Sequence, residues 1–271
     1  DFCLSRGLGD VYKRQVYYVA LPFYATLQWI RIPSPVRQEI KGMAEGSSLS
    51  LFQMIRLSSL YDFMVNMALA GSSCSSFAKM GKDWNLLIGR NFDINYDPSQ
   101  VLTRSQAILY EIKGQKPFIS VGPVFFNAAP TTAIIKDEGG NPLFFAIHNV
   151  IGPRKWFGKP TVTLLRELLN KSTFGEAAEF LKASGKTCSK IIIFADSQNA
   201  AVAEIAGGET SVIREMKEGF IAVTNNYATP RTEKHIADEE LTHGLAFNSR
   251  VRLFSLTNFW KGREPSLEAA V

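Results

Sequence analysis

At Gly71 the apolar residues of this chain change period, and that change bounds the folds open to it. Upstream, Pro35 sits where helices begin, and Ile40, Met43 and Ala44 follow at helical spacing until Gly46. A second helix is predicted from near Ser50, carrying Leu51, Ile55 and Leu60 into Tyr61-Asp62-Phe63. Downstream, Ser72-Ser-Cys74-Ser-Ser-Phe-Ala-Lys79 reads as the start of a strand. Asn85 to Asp93 reads as its partner, reached through the turn Gly81-Lys-Asp83. The two pair as a hairpin.

Further strands are predicted at Ala107–Ile112, Phe118–Val121 and Leu143–Ile147. Helices follow at Thr161–Asn170 and Thr173–Ala183, the second opened by Thr173-x-x-Glu176 at the spacing of a capping box. Strands return at Ser189–Ala195, Ala201–Ile205, Ser211–Glu215 and Phe220–Val223. Strands, a helix pair and strands again predict an α+β sandwich, because regular βαβ units would alternate instead. The segment 235–243 reads as a polar loop holding His235 and His243.

With 271 residues, 46% of them hydrophobic, the chain can bury one full core. Thirty Lys and Arg against 25 Asp and Glu leave a net charge of +5, but the charges are scattered with no basic block among aromatics. Nucleic acid is therefore excluded as a partner class, and mild attraction for anionic substrates is what remains. The apolar stretch Val16–Ile30 is shorter than the roughly 20 residues of a membrane span and contains Pro22 and Gln28, so it reads as a helix packed on the core. Residues 1–15 lack periodicity and resemble a sequencing scar more than a signal peptide.

The cysteines are Cys3, Cys74 and Cys188; they build no disulfide framework and no zinc-ligand spacing with histidine. No metal and no cofactor are expected, and cysteine usage leaves the compartment open between cytoplasmic and extracytoplasmic. Cys74 stands out because Gly71-Ser-Ser before it and Ser75-Ser-Phe after it leave the sulfur sterically open. A lone cysteine is otherwise a small buried hydrophobe. Arg90 and Asp93 follow it by 16 and 19 residues on the partner strand. Alternation puts these two on opposite faces, so both reach the sulfur only across a bulge or a twist.

Gly71-Ser-Ser-Cys74-Ser-Ser-Phe-Ala followed by Ile88-Gly-Arg90-Asn-Phe-Asp93 resembles the start of the mature chain in the N-terminal-nucleophile cysteine hydrolases. These are the choloylglycine hydrolase, acid ceramidase and penicillin acyltransferase superfamily. Phe194-Ala-Asp-Ser197, Val223-Thr-Asn225-Asn-Tyr227 and Asn248-Ser-Arg250-Val-Arg252 extend the resemblance over residues 33 to 256. It implies a four-layer αββα sandwich, made as an inactive precursor that cuts itself between Ser73 and Cys74. Residues 16–73 would then be a helical propeptide that stays associated, and 74–271 the catalytic part, shortened at its C-terminus because relatives continue into further core strands.

Once Cys74 is the first residue, its α-amino group, with a reference pKa of roughly 7.7 to 8.0, can act as general base for its own thiol. The resemblance implies that Arg90 favours the thiolate and that Asp93 holds the amine. It implies that Asn225 donates to the oxyanion, a contribution of roughly 3 kcal/mol, and that Arg250 stabilises charge near the site. Asn226 competes with Asn225, which is also turn chemistry, and Arg252 competes with Arg250. Where relatives carry Asn-Glu-x-Gly-Leu, this chain reads Asp137-Glu-Gly-Gly-Asn141-Pro-Leu143, which leaves Asn141 as the substrate-contact candidate.

The implied activity is hydrolysis of a linear amide in a small N-acyl substrate such as a bile-acid conjugate, a penicillin, a ceramide or an N-acyl amine. An acyl-enzyme at Cys74 also permits transfer to an amine. Two other readings stand beside it: a papain-like dyad of Cys74 with His148, oriented by Asn149, and a catalytically silent ligand-binding protein. A homo-oligomer stays open, and the default role of Cys188, ahead of Ile191-Ile-Ile-Phe, is a structural thiol at a strand edge.

Overall fold

The computed structural model describes residues 16–67, 72–83, 85–94, 105–123, 130–136, 140–235 and 239–266; the expected leader 1–15 lies outside them. Among the described residues ten strands form two antiparallel sheets. β1 (Ser72–Met80), β2 (Leu86–Ile94) and β10 (Phe220–Val223) make a small sheet in the order β10-β1-β2. A seven-stranded sheet runs in chain order through β3 (Ser105–Tyr110), β4 (Phe118–Pro123), β5 (Thr132–Lys136), β6 (Pro142–His148), β7 (Lys190–Ala195), β8 (Ala200–Ala206) and β9 (Thr210–Glu215).

The two sheets face each other across Ala78, Ile88, Ile221 and Val223 on one side and Ala146, Ile191, Ile193 and Val202 on the other. The far face of the large sheet, with Phe145, Ile192 and Phe194, is covered by α2 (Ser34–Glu45), α3 (Leu51–Asn66), α4 (Thr161–Leu169) and α5 (Phe174–Lys182). The far face of the small sheet presents Phe77 and Ala222 to Leu253, Leu256 and Trp260 of α7 (Glu239–Trp260), which follows the short α6 (Pro230–Glu233). Buried on both faces, β7 reads as the unbroken run Ile191-Ile-Ile-Phe-Ala rather than as an alternation. The chain before α2 forms a π turn at Val16–Ala20 and α1 (Leu21–Trp29), whose Leu21, Tyr24, Ala25 and Gln28 are buried. Among the described residues no helix is long and apolar enough to cross a membrane.

Helix ends follow local chemistry. Ser50 Oγ accepts from Gln53 N at 3.3 Å and Gln53 Oε1 accepts from Ser50 N at 2.8 Å, a reciprocal capping box that starts α3. Thr173 Oγ1 caps α5 through Glu176 N at 3.2 Å, while the Glu176 carboxylate accepts from Ser172 N, one residue before the expected partner. α4 follows Pro160, which has no side-chain cap to offer, and its first N–H, on Thr161, donates instead to Asp62 Oδ2 of α3 at 2.8 Å. Thr161 Oγ1 and Cys188 Sγ both donate to the other oxygen of the same buried carboxylate.

Two elements differ from the sequence reading. β5 is a five-residue strand between Pro130 and Lys136, too short to declare a period, and only pairing with β4 and β6 identifies it. Residues 239–260 form α7, so helix replaces the expected polar loop from Glu239 onward, and further along it Leu253, Leu256 and Trp260 dock on the small sheet.

Candidate active site

The site grows from the β1–β2 hairpin. Its register is unbroken from Ser72↔Ile94 to Met80↔Leu86, with Cys74 opposite Phe92 and Ser76 opposite Arg90. Cys74, Ser76 and Arg90 therefore share the face turned to the large sheet, while Ser73 and Asp93, themselves opposite one another, share the other face. There is no bulge. Arg90 reaches the sulfur, with Nη2 3.7 Å from Cys74 Sγ, and Asp93 does not; its carboxylate accepts from Asn91 Nδ2 at 2.9 Å. Cys74 itself is fully buried.

Arg90 is held on every side of its guanidinium. Nε donates to Thr132 Oγ1 of β5 at 3.0 Å and Nη2 to the carbonyl of Ile147 at 2.8 Å, with Nη1 3.3 Å from His148 Nε2. A fixed cation beside a thiol favours the thiolate. His148 is completely buried, and its Nε2 is turned to Ser76 Oγ at 3.0 Å as well as to Arg90. Burial first, and then the positive charges of Arg90 and Arg252, push its imidazole well below the usual histidine range. The ring is neutral.

β10 ends at Val223 and delivers Asn225 to the start of β1. Asn225 Oδ1 accepts the backbone N–H of Cys74 at 2.7 Å, and Nδ2 donates to the carbonyl of Asn149 at 2.8 Å. Asn226 is occupied elsewhere: its Oδ1 accepts from Thr224 Oγ1 and Ser249 Oγ, and its Nδ2 donates to the carbonyl of Tyr227. Ser249 of α7 also accepts from Asn225 N at 2.8 Å, which fixes the turn against the helix. The loop beyond is anchored by buried Glu204, which accepts from Ala228 N and Thr229 N, both at 3.1 Å.

The arginine supplied by α7 is Arg252. Its Nη1 donates to the carbonyl of Cys74 and to Ser75 Oγ, and its Nη2 donates to Asn225 Oδ1 at 2.9 Å. Burial lowers its guanidinium from the ordinary value, against the opposing charges of Cys74 and Asp93. Arg250, favoured by the Ser-Arg motif, lies 3.8 Å from Glu233 in a pair that is half exposed on both sides. Two helical residues apart, the side chains point about 200° from each other, so only one can face β1. The spacing carried the signal, since Asn248 Oδ1 accepts from Arg252 Nε four residues on, at 2.7 Å. That signal is readable only once the segment is known to be helical. Ser76 could have been found by stepping two residues along the strand from Cys74.

Asn141 is not brought to the site. It sits exposed before Pro142, at the end of β6 opposite to His148, about 20 Å away at the rise of a strand. Among the described residues no group of three or more His, Cys, Asp or Glu side chains could hold a metal ion. The assembled residues set a guanidinium beside the Cys74 sulfur and hold the nitrogen of the same residue against an amide acceptor.

A family model described as acyl-coenzyme A:6-aminopenicillanic acid acyl-transferase matches residues 79–252, well over half of the chain. No curated protein matches it.

Proposed function

The chain belongs to the acyl-coenzyme A:6-aminopenicillanic acid acyl-transferase family, within the N-terminal-nucleophile penicillin acyltransferase and choloylglycine hydrolase superfamily, whose members act on acyl-amide bonds; we propose that it is a self-cleaving cysteine amidohydrolase with Cys74 as nucleophile. The observation that carries this reading is the convergence on one residue of a guanidinium at its sulfur and a side-chain amide oxygen at its nitrogen.

In the precursor, Cys74 Sγ attacks the carbonyl carbon of Ser73, the C–N bond breaks, and the nitrogen takes up the proton to become an amine. Water then hydrolyses the resulting thioester to a Ser73 carboxylate. In turnover the freed α-amine accepts the thiol proton, and the thiolate attacks the substrate's acyl carbon. The same proton passes to the departing amine, and water, or a second amine, takes the acyl group from sulfur. Asn225 Oδ1 orients the amine in this scheme. One N–H of Asn225 Nδ2 is bonded to Asn149, and the other supports an oxyanion role. Arg252 replaces Arg250 as the charge-stabilising arginine.

The succession of helices, large sheet, small sheet and α7 supports the four-layer αββα arrangement. Retention of residues 16–73 after cleavage is supported by bonds that cross the proposed cut, from Lys155 N to Asn66 Oδ1 at 2.7 Å and from Thr161 N to Asp62. The substrate class is a small N-acyl amide, with hydrolysis ahead of transfer because water is the ubiquitous acceptor. The test follows freshly folded protein by intact mass and by amidase rate on a panel of N-acyl substrates. A fragment beginning at Cys74 should appear together with activity, and full activity in the uncut chain would transfer the reading to a Cys74–His148 dyad.

A further inference from the structure

We propose that His148 is a positioning residue for Arg90: a neutral imidazole whose Nε2 accepts from the guanidinium and keeps Nη2 aimed at the Cys74 sulfur. The inference rests on the reading of Cys74 as nucleophile. Besides the sulfur, Arg90 has four hydrogen-bonding contacts, and they differ in kind. The Ile147 carbonyl is backbone and Thr132 Oγ1 lies on the neighbouring strand, so each survives most substitutions nearby. Nη1 depends on His148 Nε2 at 3.3 Å and on a long contact of 3.5 Å to the Asn91 carbonyl. Without His148, the guanidinium keeps its Nε and Nη2 bonds but can tilt about the line joining them, and Sγ, at 3.7 Å, is the contact such a tilt would break.

An atom that accepts from a guanidinium carries a lone pair, so this contact places the imidazole proton on Nδ1, a buried nitrogen with no hydrogen-bond partner among the described residues. Ser76 Oγ, at 3.0 Å from the same Nε2, donates its hydroxyl there in that tautomer and ties the ring to β1. A protonated ring would set two cations against each other in a buried space where, among the described residues, no carboxylate meets Nε2. Arg90 and Arg252 both oppose it. A group kept neutral in this way is unsuited to shuttling the thiol proton, and its Nε2 is already engaged. His148 therefore acts through Arg90, and its contribution belongs to the chemical step rather than to substrate binding.

The test compares His148→Leu with His148→Gln in the full chain. Gln carries a neutral acceptor at about the reach of Nε2, so it should keep single-turnover acylation within about threefold of wild type. Leu should lower it about 100-fold, the scale on which small misplacements act, with kcat falling and KM unchanged. Exchange of the Arg90 guanidinium protons with water, read by NMR, should accelerate in the Leu variant and stay slow in the Gln variant. Should Leu not fold, His148→Asn, whose amide stops short of Nη1, takes its place. A Gln variant as inactive as Leu with Arg90 still protected would overturn the proposal in favour of proton transfer by His148. A Leu variant with wild-type acylation would overturn it outright. The exchange measurement needs neither cleavage nor substrate, so a wild-type chain that never acylates sinks the functional reading and leaves the test of the Arg90 contact intact.

Discussion

Asn225 Oδ1 accepts the backbone N–H of Cys74 at 2.7 Å, joining residues 151 positions apart in the chain. The same oxygen receives Arg252 Nη2 at 2.9 Å, so one amide ties the strand that carries the thiol to the helix that closes the site. Asn225→Ala removes both acceptor bonds together with the Nδ2 donor. Acylation is expected to fall by about 100- to 1000-fold, the scale of a lost oxyanion donor. Cleavage at Ser73–Cys74 should slow as well. Quench-flow acylation and a time course of fragment masses measure the two effects; an Asn225→Ala protein within fivefold of wild type in both would remove this residue from the mechanism.

Arg252 and Arg250 should separate cleanly. Arg252→Ala strips donors from the Cys74 carbonyl, Ser75 and Asn225, and kcat/KM should drop at least tenfold. Arg250→Ala breaks an exposed pair with Glu233 and should leave kcat/KM within about twofold. Steady-state rates on the same substrate decide it, and the reverse order would restore Arg250.

Gly89 lies directly opposite Phe77 in the hairpin, and a Cβ built on it would stand 2.2 Å from Phe77 Cε1. The ring cannot retreat easily, because its other side packs on Trp260 with centroids 4.7 Å apart. Gly89→Ala is expected to destabilise the protein by about 1 to 3 kcal/mol through overpacking. Urea denaturation should show the loss; an unchanged midpoint would mean that α7 yields.

Cys188 sets a limit in alkaline solution. Burial foremost, then the neighbouring Asp62 carboxylate, push its thiol up to about 12 from an ordinary 9.0. The folded state therefore holds this proton where the unfolded chain releases it, so the stabilisation is complete below pH 9 and is lost as pH rises towards 12. Wild-type stability should decline across that window, and Cys188→Ala should flatten the decline at some cost near neutrality. Equal slopes in denaturation curves at pH 9 and pH 11 for both proteins would contradict the assignment. In the folded protein at neutral pH, Cys188 should also resist alkylation.

Local patterns carried most of this architecture. The change of period at Gly71, the apolar runs of β6 to β8 and the Ser50 and Thr173 caps depend on neighbours within a few residues, so they were legible in the chain. The pairing of Cys74 with the Arg90 strand was legible too, because a hairpin is a short-range object. Which of two candidates faces the thiol was not. Arg252 was distinguishable from Arg250 only through the helical phase of α7, and Asn225 from Asn226 only through the bonds of Thr224 and Ser249. Arg90 was separated from Asp93 by which face of β2 packs on the large sheet, and that packing also buried His148 beside it, held neutral in its cavity. Residue type and spacing along the chain named the candidates; the docking of sheet on sheet and helix on sheet, a long-range consequence of burying apolar faces, chose among them.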